Sequence, residues 1–168
     1  GGSTARFSSF VAGPAKAIGY GLDFARGKPR HFLGHNPLGG AIVIGLLLAV
    51  GTQGVLGLMS YDDHDSNAGG PLAFRVGDAW SAVMTRWHLK VFDLILLLVA
   101  AHIVANLVYL FWKRENLIRP MMTGVKPRKA YEDHAEAEFG GCGRAALCLT
   151  AAAVLVLGGI RVLGGRVF

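Results

Sequence analysis

Residues 91–112 read Val91-Phe-Asp-Leu-Ile-Leu-Leu-Leu-Val-Ala-Ala-His102-Ile-Val-Ala-Asn-Leu-Val-Tyr-Leu-Phe-Trp112. An apolar run of this length is typical of a helix that spans a membrane. The run contains His102, and His88 precedes that residue by fourteen positions. Fourteen residues fall roughly 40° short of four full turns, so both imidazoles project from nearly the same face, about 21 Å apart along the axis. A single metal ion cannot bridge that distance, whereas two separate groups, one in each leaflet, fit it.

The composition is that of a membrane protein. The chain has 168 residues, of which 52% are hydrophobic and 17% are charged. Apolar stretches occur at Leu38–Met59, Val91–Trp112 and Ala145–Ile160. The sequence therefore predicts an all-α integral membrane helical bundle with three spanning helices, at 38–59, 88–112 and 145–163.

The charges of the connecting segments indicate the topology. The net charge is +6, and most Lys and Arg residues lie in residues 1–40 and 113–144, whereas the loop 60–87 has only Arg75 and Arg86 against four aspartates. Basic residues flank spanning helices on the cytoplasmic side. This pattern places residues 1–40 and 113–144 inside and residues 60–87 outside. It also favours contact with anionic lipid over binding of nucleic acid.

The remaining segments are shorter or polar. Residues 14–26 are predicted to form an amphipathic helix on the inner surface, with Pro14 at its first position and Gly27 after its end. Residues 71–87 are predicted to form a second amphipathic helix at the outer interface, followed by a spanning helix that begins near His88. Cys142 and Cys148 are interpreted as helix-packing residues on the reducing side of the membrane.

Two histidines on one membrane-embedded face favour haem. An ionisable group inside a spanning segment is a functional-site candidate, the alternative being a neutral imidazole bonded to a neighbouring helix. Imidazole is a common axial ligand of haem iron, and helical bundles build such sites from facing side chains. The sequence contains no Cys-x-x-Cys-His motif, so any haem is of the non-covalent b type. The other four histidines fall in predicted loops, so this chain supplies one axial ligand per haem; these are His31, His35, His64 and His134.

The turn Gly34-His35-Asn36-Pro37 and Arg30 are predicted to lie at the inner surface. Cationic and hydrogen-bonding groups at that depth suit the anionic propionates of an inner haem, so Arg30, His35 and Asn36 are secondary candidates for cofactor binding. The alternative is that this loop only caps the helix that begins at Leu38.

Four motifs resemble the bacterial membrane dihaem cytochromes b, a group that includes the b-type subunit of nickel–iron hydrogenases and the bacterial cytochromes b of the five-sixty-one type. The similarity covers residues 5 to 126. It rests on Ala5-Arg-Phe-Ser-Ser-Phe-Val-Ala-Gly-Pro14, on Leu33-Gly-His-Asn-Pro-Leu-Gly-Gly40, on the pair His88 and His102, and on Lys113-Arg-Glu-Asn-Leu-Ile-Arg-Pro-Met-Met-Thr-Gly-Val-Lys126.

The resemblance implies half of a four-helix bundle that holds two haems. In that family the first two helices give one histidine each and the fourth gives two, so His88 would ligate the outer haem iron and His102 the inner one. The sequence matches the family only from the end of its second helix, and a further apolar stretch follows residue 144. We therefore expect a fragment, a second polypeptide that completes the bundle, or loss of the haems.

Together these expectations define residues 1–126 as a partial dihaem cytochrome b domain and 127–168 as a polar linker with an extra spanning helix. The expected function is electron transfer through two b-type haems between an outer redox partner and quinone, as a carrier subunit rather than a catalyst. The alternatives are a haem-free membrane anchor or assembly subunit, and a channel or transporter, which sparse polar lining residues disfavour.

The charge pattern generates a topology prediction. In a background with Cys142 and Cys148 replaced by Ala, a Ser66→Cys variant should react with a membrane-impermeant maleimide on intact spheroplasts, because residues 60–87 are expected outside. A Thr123→Cys variant is the matched inner control and should react only after the membrane is opened. The opposite labelling of the two variants would reverse the topology.

Overall fold

The computed structural model describes residues 2–28, 30–61, 69–127, 131–133, 138 and 140–165. Its described residues are helical apart from connecting segments and one isolated bridge between Tyr61 and Gly69. After a 3₁₀ turn at Ser3–Ala5, the helices are α1 (Phe7–Phe10), α2 (Pro14–Ala25), α3 (Pro37–Met59), α4 (Ala73–Val76), α5 (Asp78–Phe111), α6 (Ile118–Thr123) and α7 (Cys142–Val162).

Three of these helices are long and apolar enough to cross a membrane. The helices α3, α5 and α7 contain 23, 34 and 21 residues, and an 18-residue segment of each has a mean hydropathy of 2.1, 2.5 and 2.1, respectively. At most 6% of each of these segments is buried inside the protein. Such apolar surfaces are stable in lipid and costly in water. The predicted all-α membrane fold with three spanning helices is confirmed.

The helix that carries both histidines is longer than the sequence suggested. The expected interfacial helix at 71–87 does not exist as one element, because α4 ends at Val76 and Gly77 adopts a φ of +76°. From Asp78 the chain is helical without interruption to Phe111. Neither glycine nor proline occurs between Asp78 and Phe111, so nothing in this stretch ends the helix near His88. The predicted helix boundary at residue 88 is therefore wrong.

The half-buried positions of α5 recur at helical spacing. They include His88, Val91, Ile95, Leu98 and His102, whereas most positions between them are exposed. A spacing of three or four residues marks one face of a helix. Both histidines therefore belong to the half-buried face of α5, and the exposed faces carry large apolar side chains such as Leu97, which is 65% exposed.

The chain divides into two compact units, of which the first comprises residues 1–46 and 98–140. Its core is aromatic: Phe10 and Tyr20 are buried, and Tyr20 packs edge-on against Phe32 with 5.6 Å between ring centroids. The helix α2 buries Ala17 and Tyr20, whereas Ile18 is 65% exposed. An exposed apolar side chain on α2 is compatible with contact with the membrane surface.

The second unit comprises residues 47–97 and 141–168. The end of α3 and the start of α5 are joined here. The Ser81 hydroxyl donates to the Met59 carbonyl (2.8 Å), and the Thr85 hydroxyl contacts both the N–H and the carbonyl of Tyr61 (3.0 Å each). Leu72 and Ile160 are its buried large side chains. The residues 62–68, which carry the acidic cluster and His64, lie outside the described residues.

Close helix approach in the first unit generates a stability prediction. A Cβ atom on Gly40 would overlap the main-chain carbonyl of Phe10. Gly40→Ala should therefore lower the free energy of unfolding by about 1–3 kcal/mol, although alanine has the higher helix propensity. Gly51→Ala is the matched control on the same helix, where a Cβ meets nothing within 4 Å, and it should be neutral or slightly stabilising. Thermal unfolding in detergent measures both, and equal melting temperatures for the two variants would contradict the packing.

Candidate functional site

The His88 imidazole lies against α3 in the second unit. Its Nδ1 is 3.1 Å from the main-chain carbonyl oxygen of Gln53, and its Nε2 is 3.0 Å from the Gln53 side-chain nitrogen. The ring also lies over Gly57, where a Cβ would come within 3.0 Å of His88 Cε1. A glycine at this position lets the imidazole approach the backbone of α3.

These contacts fix the tautomer of His88. A carbonyl oxygen only accepts hydrogen bonds, so Nδ1 carries the proton and donates it to Gln53. The remaining nitrogen, Nε2, then holds a lone pair and accepts from the Gln53 amide. A histidine whose Nδ1–H is held by a backbone carbonyl presents Nε2 as a metal ligand.

His102, in the first unit, also has an amide partner at Nε2. The Asn106 side-chain amide lies one helical turn on and donates to His102 Nε2 (3.1 Å) and to the His102 carbonyl (2.8 Å). The imidazole is half-buried. Its Nε2 is again an acceptor of a hydrogen bond, as a nitrogen that ligates haem iron must be.

A cavity of about 420 Å³ adjoins His102 within the first unit. Its size falls within the range of small-molecule and cofactor sites. Apolar residues of α3 and α5 form part of the wall, and polar groups converge on the rest; the polar residues include Arg30, His35, Asn36, His102, Asn106 and Tyr109. The structure thus brings the three secondary candidates of the inner loop to the same cavity as His102.

The charge of Arg30 is balanced by acidic residues. Its guanidinium forms two-pronged hydrogen bonds with the Glu132 carboxylate (2.8–3.1 Å) and lies 3.6 Å from Asp23. Glu132 raises the pKa of Arg30 above its ordinary value. An arginine held in this way orders the loop, and it must share its donors with any further anion.

The main chain of the same loop is held by two further residues. The Asp133 carboxylate accepts the N–H groups of Leu33 (2.6 Å) and Gly34 (2.7 Å), and the Lys126 ammonium donates to the Phe32 carbonyl. Residues 30–36 are therefore ordered by the segment that follows α6. The two segments that the charge rule placed inside are joined to each other.

The surroundings of His35 favour its neutral form. Partial desolvation, then the nearby His102 and Lys126, lower the pKa of His35. The ring packs against Phe10 with 5.3 Å between centroids. A neutral His35 on the cavity can donate one hydrogen bond and accept another.

Asn36 joins α3 to a pair of tyrosines. Its side-chain oxygen accepts the Gly39 N–H (2.7 Å), as in a helix N-cap, and its amide donates to the Tyr109 hydroxyl (2.8 Å). The Tyr109 hydroxyl also bonds the Tyr20 hydroxyl, and burial raises the pKa of Tyr20. Asn36 thus caps α3, as the alternative interpretation of this loop required, and it also faces the cavity.

Several residues of the candidate site were not identified from the sequence. Gln53 is a polar residue inside an apolar span, a signal that was available, but its contact with His88 crosses 35 positions. Glu132 and Asp133 lie in a segment with no periodic pattern. Of the other loop histidines, His31 pairs with Glu115 at 3.2 Å, and His64 and His134 lie outside the described residues.

The residues present fit a b-type haem on chemical grounds. Both spanning histidines offer an unprotonated Nε2. Among the described residues, the Gln53 side-chain oxygen is the buried side-chain atom that lacks a hydrogen-bond partner. A group that took His88 Nε2 would release the Gln53 amide to turn and satisfy that oxygen.

The fold defines a helical membrane protein with two histidines on one spanning helix. A sequence model of the prokaryotic cytochrome b561 family matches residues 3–124, and the chain belongs to that family. No curated protein and no solved structure matches it. Membership in this family indicates transmembrane electron transfer with b-type haem in a multi-pass membrane protein.

The tyrosine pair generates a prediction. Tyr109→Phe removes the partner of both Asn36 and Tyr20 and should lower the free energy of unfolding by about 1–3 kcal/mol. Tyr131→Phe is the matched control, since its hydroxyl makes an exposed hydrogen bond to the Pro127 carbonyl four residues earlier. Chemical denaturation in detergent compares the two variants. Equal stability of Tyr109→Phe and the unsubstituted protein would show that the network is not stabilising.

Proposed function

We propose that this protein transfers electrons across the bacterial inner membrane through two non-covalent b-type haems. The electrons pass between a redox partner on the outer side and the quinone pool. In this proposal His88 is an axial ligand at the outer haem and His102 at the inner haem. The chain acts as an electron-carrier subunit of a larger oxidoreductase complex.

One observation carries the proposal: two histidines of a single spanning helix both present Nε2 as an acceptor. Each lies on the half-buried face of α5, and each Nε2 is held by a neutral amide, that of Gln53 or that of Asn106. Haem, when bound, supplies a one-electron ferric/ferrous couple. Two such couples, one towards each surface, would give electrons a route across the bilayer.

In this proposal the residues of this chain bind and orient the two haems. The Gln53 carbonyl holds the His88 ring through Nδ1, and Gly57 leaves room for it. At the inner end, His35 and Asn36 offer hydrogen bonds to the cavity beside His102. We assign to Arg30 the neutralisation of anionic groups at this end, although part of its charge is already balanced by Glu132.

The second axial ligand of each haem is proposed to come from further helices, encoded in the same gene or in another subunit. None of the described residues places a second histidine beside His88. The exposed apolar faces of α3 and α5 supply surfaces against which such helices can pack. Residues 1–126 then form part of a dihaem cytochrome b domain, and 127–168 add a linker and the spanning helix α7.

A haem-free anchor or assembly subunit is the second candidate. The observation that favours it is that both Nε2 atoms already have amide partners, so neither of these nitrogens needs a cofactor as its partner. Haem analysis separates the two functions, since an anchor has no need for either histidine.

The ligand assignment generates a prediction. His102→Ala should remove the inner haem and leave the outer haem largely in place, because the two imidazoles occupy different ends of α5 and have separate partners. The measurement is haem per protein in the purified complex by pyridine haemochrome, which should fall from two to one.

The matched control is Ile103→Ala, at the next position on α5, where the side chain is 52% exposed on the apolar surface. It should retain both haems. An unchanged haem content in His102→Ala would remove His102 from the ligand set, and loss of both haems in Ile103→Ala would indicate a defect of folding rather than of ligation.

A further inference from the structure

Gln53 is the one residue that contacts both nitrogens of the His88 ring among the described residues. Its main-chain oxygen accepts from Nδ1 at 3.1 Å, and its side-chain amide donates to Nε2 at 3.0 Å. The two groups act on opposite edges of the imidazole. The carbonyl leaves Nε2 with a lone pair for a metal, whereas the side-chain amide occupies that lone pair.

We propose that Gln53 is the positioning residue of His88: its carbonyl fixes the ligating tautomer, and its carboxamide holds Nε2 until haem iron takes that nitrogen. The inference rests on the proposed function, in which His88 is an axial ligand. It adds a displaceable internal partner, which competes with the iron for the same lone pair.

The side-chain oxygen of Gln53 supports displacement rather than a permanent contact. This atom is buried and lacks a hydrogen-bond partner while the amide nitrogen faces His88. An amide satisfied at one end only is less stable than one satisfied at both ends. Once Nε2 has another partner, the carboxamide is free to turn and find a donor for its oxygen.

Substitutions at Gly57 and at Gln53 test the two roles of Gln53 separately. It lies one helical turn after Gln53, and a Cβ there would come within 3.0 Å of His88 Cε1 and 3.4 Å of Nδ1. Gly57→Ala therefore pushes the ring away from the Gln53 carbonyl. In contrast, Gln53→Leu keeps the carbonyl and removes only the amide that covers Nε2.

The experiment titrates the full complex, produced in haem-deficient cells and held in nanodiscs, with haemin. Gln53→Leu should bind haemin at the outer site about three- to tenfold more tightly, since one hydrogen bond no longer has to be broken. Its outer-haem midpoint potential should stay unchanged, because the carbonyl that sets the donor strength of the ring remains.

Gly57→Ala should do the reverse, with weaker haemin binding and a raised outer-haem potential, since a weaker Nδ1–H bond makes the imidazole a poorer donor. Thr52→Val and Gly54→Ala are the matched controls: Thr52 and Gly54 are exposed neighbours on α3, and a Cβ at Gly54 meets nothing within 4 Å. Both controls should behave like the unsubstituted complex.

The outcomes separate the inference from the function on which it rests. Unchanged or weaker haemin binding by Gln53→Leu, in a complex whose outer haem is lost in His88→Ala, overturns the role of Gln53 and leaves the electron-transfer proposal standing. An outer haem that persists in His88→Ala, or that is absent from the unsubstituted complex, overturns both.

Discussion

Every nitrogen of an imidazole inside a membrane needs a polar partner, and the rest of this structure depends on how that need is met. Lipid offers no hydrogen bonds, so an unsatisfied polar group there costs several kcal/mol. His88 meets the need at both nitrogens through Gln53 on a neighbouring helix, and His102 meets it at Nε2 through Asn106 on its own helix. In both cases the partner of Nε2 is a neutral amide, which donates a hydrogen bond to that nitrogen.

This constraint also explains where small residues are required. An imidazole that reaches the backbone of α3 needs a position without a side chain, and Gly57 provides it. At the other end of α3, Gly40 permits contact with the Phe10 carbonyl, which brings the N-terminal segment onto the start of the helix. Outside these approaches the long helices bury little within the protein, so their apolar surface is left to lipid or to further helices.

The fold could be predicted from sequence to the extent that it depends on hydropathy. The three apolar stretches and the shared face of His88 and His102 follow from composition and helical period. The start of α5 could not be predicted, because a preference for the interface does not itself end a helix, and only Gly77 breaks this one. The contacts of the site could not be predicted for a different reason. Gln53 contacts His88, and Arg30 contacts Glu132, across long separations in the chain, and no local sequence pattern relates the two partners. Two histidines with a bilayer-scale spacing could still indicate the cofactor.

The central claim is that α5 offers two separate haem ligands, one towards each surface of the membrane. A potentiometric titration of the native complex, followed by reduced-minus-oxidised optical spectra, tests this claim most directly. The account predicts b-type haem bands that titrate as two one-electron components. A native complex with no haem bands would contradict the account and assign the chain to the haem-free anchors, and a single component with one haem per complex would show that only one of the two histidines is a ligand.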